Sequence, residues 1–431
     1  MREIKVGLIG AGTVGGGVLK ILSEKATHFA DDLGLPIRVA RIADKDTNRL
    51  NTLPTGDAIC STNADDIISD DGIETVIELV GGTGFARNLV LRALHAGKHV
   101  VTANKALLAE YGPEIFEAAE KNNVSVYFEA AVGGGMPTIK TIRESMVAND
   151  IYSLKTIING TCNYILTEME ARGLSFDDAL GKAQDGGFAE ADPTLDVGGG
   201  DSGHKIAIMA SLLRGGFVPY EDVPIEGIIK ITERDISFAR DLGYRIKLLG
   251  IIKSDSSGLE VRVHPAMLHT DHILASVSKE YNAVLLEGDA VGQILLYGKG
   301  AGELPTASAV VGDIIDVARN LSGSSPKRIP MNFYAGDKRI TLRPSGAGIS
   351  RYYLRFTVAD RPSVLALIAS ALGEKNISIA SVVQKEGHSS EYCPVVILTH
   401  PAEEKNLRDA VGVIEKMDYI RHETQIIRIE E

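Results

Sequence analysis

The chain has no tryptophan, an aromatic content of 5 % and three cysteines. Cys60, Cys162 and Cys393 lie far apart with no paired spacing. That excludes a disulfide scaffold and a cysteine-based zinc module, and it fits a reducing compartment. Positive charge is also scarce: 45 Lys and Arg stand against 57 Asp and Glu, a formal net charge of −12. Nucleic-acid and membrane-surface proteins need a clustered positive field, which this balance disfavours. No apolar run reaches the roughly 18–20 residues that cross a bilayer. The apolar stretch Ile4–Ile9 is broken at Gly10 too soon for a signal peptide. The expectation is a soluble cytoplasmic protein.

Glycine, by contrast, is plentiful at 45 of 431 residues, and it is the residue that lets backbone approach a ligand closely. Hydrophobic residues at 44 % and charged residues at 24 % are ordinary for a globular chain. At roughly 100–200 residues per domain the length predicts two to four domains. Strand-like runs at Ile4–Ile9, Ile37–Ala43, 75–80, His99–Thr102 and 125–129 alternate with helical stretches such as 14–22, 86–96 and 113–121. This alternation predicts an α/β fold with a doubly wound, Rossmann-type parallel sheet over 1–135. The chain is expected to return to that sheet near 300–320. Longer helices follow over 151–253, and strand alternation returns over 258–288, giving an α+β domain over 136–300. Polar breaks stand at 320–328 and 344–348. Beyond them, strands at 352–358, 377–384, 395–400 and 420–429 and helices at 363–374 and 402–416 make a ferredoxin-like βαββαβ unit over 350–431.

Gly10-Ala11-Gly12-Thr13-Val14-Gly15 is a GxGxxG that leaves a strand and opens a helix. Gly10, Gly12, Thr13, Val14 and Gly15 are the candidate pyrophosphate residues, because helix N-terminal N–H groups must face the phosphates with no side chain between. The second strand ends at Asp44-Lys45. An acid there suits the ribose of NAD and a neighbouring base suits the phosphate of NADP, so the cofactor is NADP or NAD. Lys105, after the fourth strand, lies at the ligand-binding edge of such a sheet, and is either a nicotinamide- or carbonyl-directed group or a solvated loop lysine. Asp201 and Lys205 are four apart and share one helical face. With Glu190 and Asp196 they form either a site in which a lysine protonates a carbonyl oxygen or a surface ion pair. The Glu129–Pro137 turn offers exposed carbonyls and one carboxylate as oxygen ligands for a hard monovalent cation, and it also reads as a domain hinge. His264, His269 and His272 lack metal-site spacing, and His204 reads as a packing or hydrogen-bonding residue rather than the catalyst.

These residues resemble homoserine dehydrogenases of the long bacterial type. The run 183–201 with Lys205 carries most of the likeness, with 101–105, 129–137, 159–163 and 300–302 also similar to family fingerprints. The resemblance spans essentially the whole chain. It implies NAD(P)-dependent interconversion of L-homoserine and L-aspartate 4-semialdehyde, in threonine, methionine and isoleucine biosynthesis. By the same resemblance, Lys205 is the proton donor or acceptor at the C4 oxygen, with Lys105 beside the nicotinamide and substrate. Glu190 and Asp201 bind homoserine, and Gly187 and Gly302 line the nicotinamide side. Glu129 and the carbonyls of Val132, Gly134 and Met136 hold sodium or potassium. The middle domain then serves for substrate binding and dimerisation, giving a homodimer or homotetramer.

The C-terminal unit resembles an ACT domain, which implies regulation by an amino acid such as L-threonine or a purely dimerising role. Ser363 stands where that family pattern has Gly, and a serine there is able to cap the helix that follows. Two other functions compete: an NAD(P) dehydrogenase for another amino-acid aldehyde or imine, and a sensor that has lost catalysis. The 192–205 run opposes the first, and the intact Lys105, Glu190, Asp201 and Lys205 oppose the second.

Overall fold

The computed structural model describes residues 3–322, 338–344, 346–384 and 392–431. Six parallel strands form the first sheet: β1 (Ile4–Ile9), β2 (Ile37–Ala43), β3 (Ile59–Ser61), β4 (Thr75–Glu78), β5 (His99–Thr102) and β6 (Val126–Tyr127). Their order is β3-β2-β1-β4-β5-β6, the doubly wound arrangement expected from the strand–helix alternation. The order reverses between β1 and β4, and the crevice outside the carboxyl ends of those strands is where such sheets bind ligands.

Several boundaries differ from the sequence reading for local reasons. The strand expected over 75–80 stops at Glu78, whose buried carboxylate accepts the Val80 and Gly81 N–H groups (2.9 and 3.0 Å) and turns the chain. The strand expected over 125–129 shortens to two residues, because Glu129 already opens a 3₁₀ turn. The helix expected over 113–121 begins at Lys105, where the Asn104 side chain caps the Leu107 N–H at 3.2 Å. Pro113 is tolerated because the helix kinks at Tyr111 (φ −123°).

A second sheet holds β7 (Ile151–Ile157), β8 (Tyr244–Asp255), β9 (Gly258–His269), β10 (Tyr281–Gly288) and β11 (Gly292–Lys299). Helices Gly160–Arg172 and Gly200–Arg214 pack on one face of it, and the second of these also touches helix Lys105–Lys121 of the first unit. Helix Glu303–Ser322 lies against helix Thr13–Glu24, and Asn320 Nδ2 donates to the Tyr127 hydroxyl at 2.6 Å. No helix among the described residues is long and apolar enough to cross a membrane.

The C-terminal unit contains β12 (Ile349–Ala359), β13 (Ile379–Gln384), β14 (Tyr392–Thr399), the short β15 (Ala402–Glu403) and β16 (Ile420–Glu430), with helices Val364–Glu374 and Glu404–Ile414. This is the expected βαββαβ, with strand order β16-β12-β14-β13. Of the polar breaks, residues 323–328 and Ser345 lie outside the described residues. Ser363 does not cap its helix: it sits at φ +76° with no side-chain cap bond, in the left-handed conformation that favours glycine. The unit is not a separate bead. β16 pairs in parallel with β9 through Arg428–Ala266, Ile429–Met267 and Glu430–Leu268, so the second sheet runs on into the C-terminal one as ten strands.

A buried ion pair fastens this joint. Asp235 is fully buried and completes a capping box with Thr232, while both its oxygens also accept from Arg355 of β12 (2.6 and 3.0 Å). The Tyr353 hydroxyl donates to the same carboxylate at 3.1 Å. Asp235→Ala strands a buried guanidinium and is expected to destabilise the protein by about 3–5 kcal/mol. Denaturant unfolding followed by circular dichroism checks this, and an unchanged midpoint would show that the pair does not anchor the joint.

Candidate active site

The glycine turn after β1 separates into packed and open positions. A Cβ on Gly15 would lie 2.2 Å from the Gly10 carbonyl oxygen, so that glycine is required by packing. A Cβ on Gly12 would meet nothing within 4 Å. Gly12 begins helix Thr13–Glu24 without any side-chain cap, leaving first-turn N–H groups free for an anion. Asp44 serves this turn directly: Oδ2 accepts from the Ala11 N–H at 2.5 Å and Oδ1 from Asp46 N–H at 2.8 Å. Arg49, which the sequence reading passed over, donates Nε to the Ala11 carbonyl at 2.7 Å. Its guanidinium places a cation at the turn.

The second element is a charge cluster around Asp201. This buried aspartate lies in the first turn of helix Gly200–Arg214. Its Oδ2 accepts from Lys205 Nζ (2.8 Å) and from Asn159 Nδ2 (2.8 Å), and Lys105 Nζ stands 3.3 Å from Oδ1. Burial pushes the Asp201 carboxyl up, but the two ammonium groups and the hydrogen bonds outweigh it and hold the group well below the usual range. Burial, with Asp201 beside it, raises Asp196, which accepts from the same Asn159 amide at 2.7 Å. Lys205 Nζ also donates to the Ile158 carbonyl at 2.8 Å. An ammonium has three N–H donors, so two are fixed by protein and one is left for a ligand oxygen. His204 is a packing residue as expected, stacked on Tyr220 with ring centroids 4.0 Å apart.

A cleft of about 670 Å³ collects most of the predicted residues: Val14, Lys105, Gly134, Gly187, Glu190, Asp201, Lys205 and Gly302 all line it. Glu190 is exposed there, whereas Asp201 is not. Gly10, Gly12, Thr13 and Gly15 lie outside the cleft's lining, as do Glu129, Val132 and Met136. The sequence reading gave no role to Asn159, which holds Asp196 and Asp201 together and caps helix Gly160–Arg172 through the Cys162 N–H at 2.8 Å. Its only local signal is the Asn-Gly that opens a helix.

The turn at 129–137 differs from expectation in exposure. Glu129, Val132, Gly134 and Met136 are all buried residues. Glu129 accepts from the Ile139 and Lys140 N–H groups at 2.8 and 2.9 Å, and burial pushes its carboxyl up to about 7. The three histidines do not converge on one point: His264 bonds the Pro265 carbonyl, His269 faces Asp271, and His272 accepts from the Leu274 N–H.

Comparison with known proteins gives consistent matches along the chain. The family model for the homoserine dehydrogenase NAD binding domain matches residues 10–129, and the one for homoserine dehydrogenase matches 137–315. The chain is 44 % identical to homoserine dehydrogenase of Neisseria gonorrhoeae, covering 100 % of this chain and 99 % of that one. It is 43 % identical to the Pseudomonas aeruginosa homoserine dehydrogenase over the full length of both. A homoserine dehydrogenase crystal structure from Thiobacillus denitrificans superposes with a TM-score of 0.95 at 44 % identity, over 100 % of this chain and 99 % of that one. A hyperthermophilic archaeal homoserine dehydrogenase in complex with NADPH superposes with a TM-score of 0.63 at 25 % identity, over 76 % of this chain and 100 % of that one.

The two classes of glycine give opposite expectations on substitution. Gly12→Ala should keep the unfolding midpoint of the native protein yet lose dinucleotide binding in a fluorescence titration. Gly15→Ala should lower the midpoint itself. Equal loss of stability in both would show that Gly12 is also a packing position.

Proposed function

The chain belongs to the homoserine dehydrogenase family of oxidoreductases, and on that premise we propose how its residues interconvert L-homoserine and L-aspartate 4-semialdehyde. The reading rests on Lys205: a half-buried ammonium whose two other donors are already engaged offers a single N–H to the substrate's C4 oxygen. NADP or NAD bound on the first sheet supplies the hydride when the aldehyde is reduced and takes it when the alcohol is oxidised. Lys205 gives the C4 oxygen its proton in the first direction and receives it in the second. Lys105, across Asp201, adds positive charge where the alkoxide develops. Asp201 keeps both lysines aimed. The exposed Glu190 carboxylate at the cleft margin receives the substrate's α-ammonium.

The remaining assignments follow from the same premise. Asp44 is occupied with the glycine turn, which leaves Lys45 and Arg49 to meet the 2′-phosphate of NADP. The Glu129 turn suits sodium or potassium held by Glu129 with the Val132, Gly134 and Met136 carbonyls, since a cation there would keep a buried carboxylate ionised. Such an ion would hold the turn, which packs against 299–301 at the cleft, without entering the reaction. The C-terminal unit is read as an ACT domain taking L-threonine. The second sheet, with β11 as its free edge, is read as the surface that pairs subunits. Three unpaired cysteines and a net charge of −12 suit a cytoplasmic enzyme without nucleic-acid or membrane partners.

Lys205→Ala is expected to lower homoserine-dependent NAD(P)H formation by about 10²–10⁴-fold while dinucleotide affinity stays unchanged. Turnover near that of the native enzyme would remove Lys205 from the reaction. Arg49→Ala should lower kcat/KM with NADPH about tenfold relative to NADH. An unchanged ratio in paired initial-rate curves would leave the phosphate to Lys45 alone.

A further inference from the structure

The catalytic cleft contains an amide that the protein itself does not use. Asn282 is the second residue of β10 and lines the cleft, yet it is only 1 % exposed. Its Oδ1 has no hydrogen-bond partner, and its Nδ2 donates to none of the described residues. Contact alone holds the side chain in place. A Cβ on Gly300 would lie 1.7 Å from Nδ2 and one on Gly160 would lie 3.7 Å from Oδ1, so two glycines give the amide its slot. The β10–β11 pair keeps the slot rigid: Asn282 pairs with Gly298, and the Tyr281 and Tyr297 rings stack with centroids 5.1 Å apart. A buried amide without partners is unfavourable, and a ligand that bonds to it offsets that cost.

The sheet fixes where this amide stands relative to Lys205. Ala283 pairs with Ile157 across β10 and β7, which brings Asn282 beside Ile158. The Ile158 carbonyl is the one that accepts the Lys205 ammonium at 2.8 Å. Opposed residues of antiparallel strands lie about 5 Å apart. The C4 oxygen and the carboxylate carbon of homoserine, four bonds apart, span a comparable distance. A substrate with its C4 oxygen on Lys205 therefore reaches Asn282 with its other end.

Charge points to the same end of the substrate. Three lysines line the cleft, and two of them, Lys105 and Lys205, face Asp201. The third, Lys299, stands 3.9 Å from Glu280, too far for a hydrogen bond, and its side chain is 53 % exposed. Its charge is open to an anion entering the cleft. With the α-ammonium given to Glu190, the α-carboxylate is the ionic group of the substrate still to be matched. The nicotinamide carboxamide also carries an oxygen that an amide is able to bind, but a neutral group makes no use of Lys299.

We propose that Asn282 and Lys299 seat the α-carboxylate of the substrate. Asn282 Nδ2 donates to one carboxylate oxygen and Lys299 Nζ to the other, and together they select the amino acid over amino alcohols of the same length. Both are specificity residues, placed away from the carbon that exchanges hydride. The inference rests on the proposed reaction and adds the groups that choose its substrate.

The test is titration calorimetry on the full-length protein saturated with NADPH, with which L-homoserine does not react. The second ligand is 3-aminopropan-1-ol, which is homoserine without its carboxylate. The native protein should bind L-homoserine at least tenfold more tightly than the amino alcohol. Asn282→Ala and Lys299→Met should each weaken L-homoserine about tenfold, the loss of one hydrogen bond to a charged group. Affinity for 3-aminopropan-1-ol and for NADPH should not change. Lys299 is half exposed, so its substitution tests the seat independently of the buried one. The proposal is overturned if the native protein binds both ligands equally or if neither substitution weakens L-homoserine. It is also overturned if the amino alcohol or NADPH weakens by the same factor, which is the mark of a merely structural role. A loss confined to NADPH would overturn it too and give the amide to the nicotinamide. Any of these with homoserine oxidation intact in the native protein leaves the proposed function standing. Carboxylate-dependent binding without homoserine-dependent NAD(P)H formation would instead overturn the proposed function and leave the seat in place.

Discussion

One buried negative charge organises the catalytic half of the molecule. Asp201 is removed from water and faces two ammonium groups and an amide, each reaching it from a different part of the fold. Lys205 lies one helical turn along its own helix, Lys105 opens a helix of the first sheet, and Asn159 caps a helix of the second. Burying the carboxylate is unfavourable alone, and only this set of partners makes it tolerable. The helix N-terminus adds to the effect, since Asp201 sits in the first turn where negative charge is favoured. The two lysines therefore owe their position to a group that need not touch the reacting carbon.

That constraint explains why the cleft lies between units rather than within one. Lys105 can reach Asp201 only if helix Lys105–Lys121 packs against helix Gly200–Arg214, as it does. Glu78 prepares the first-sheet side: it turns the chain after β4 and accepts the Thr102 hydroxyl at 2.7 Å. Thr102 in turn receives the Asn104 N–H at 3.0 Å, and Asn104 caps the helix on which Lys105 is the first residue. A chain of local hydrogen bonds thus runs from the sheet edge to the lysine.

How much of this was legible in the sequence depends on the range of the interaction that fixes each part. β1, β2 and β5 coincide with the apolar runs read from the chain; β1 and β5 are largely buried, and such strands announce themselves by composition. The pair Asp201 and Lys205 was legible because a spacing of four is a helical fact. β3 was missed: it has three residues, none buried, at the sheet edge. Asn159 and Glu78 gave little warning, since besides its local bonds each holds a side chain 24 or more residues away. Asp44 was legible as a functional acid but not as the acceptor that shapes the glycine turn. The helix that begins at Lys105 was hidden by Pro113, which normally marks a first turn and here follows a kink.

The C-terminal unit could have been tethered by a linker alone, yet its last strand is zipped to β9 and its charges are shared with the middle of the chain. Arg428 bonds both Glu226 and Glu404, and Glu430 receives Arg262 and Lys253. Its own core, around Tyr352, Leu354, Phe356 and Ile368, is separate from the main one. The opposite face sends Tyr353, Ile427 and Ile429 into the main core. An element with its own core on one face and a shared core on the other cannot shift without disturbing the strand it pairs with. β9 leads to the bridge between Ile225 and Val263, and that loop leads to the turn before Asp201. The same backbone that places Asp201 is thus the backbone on which the C-terminal unit rests.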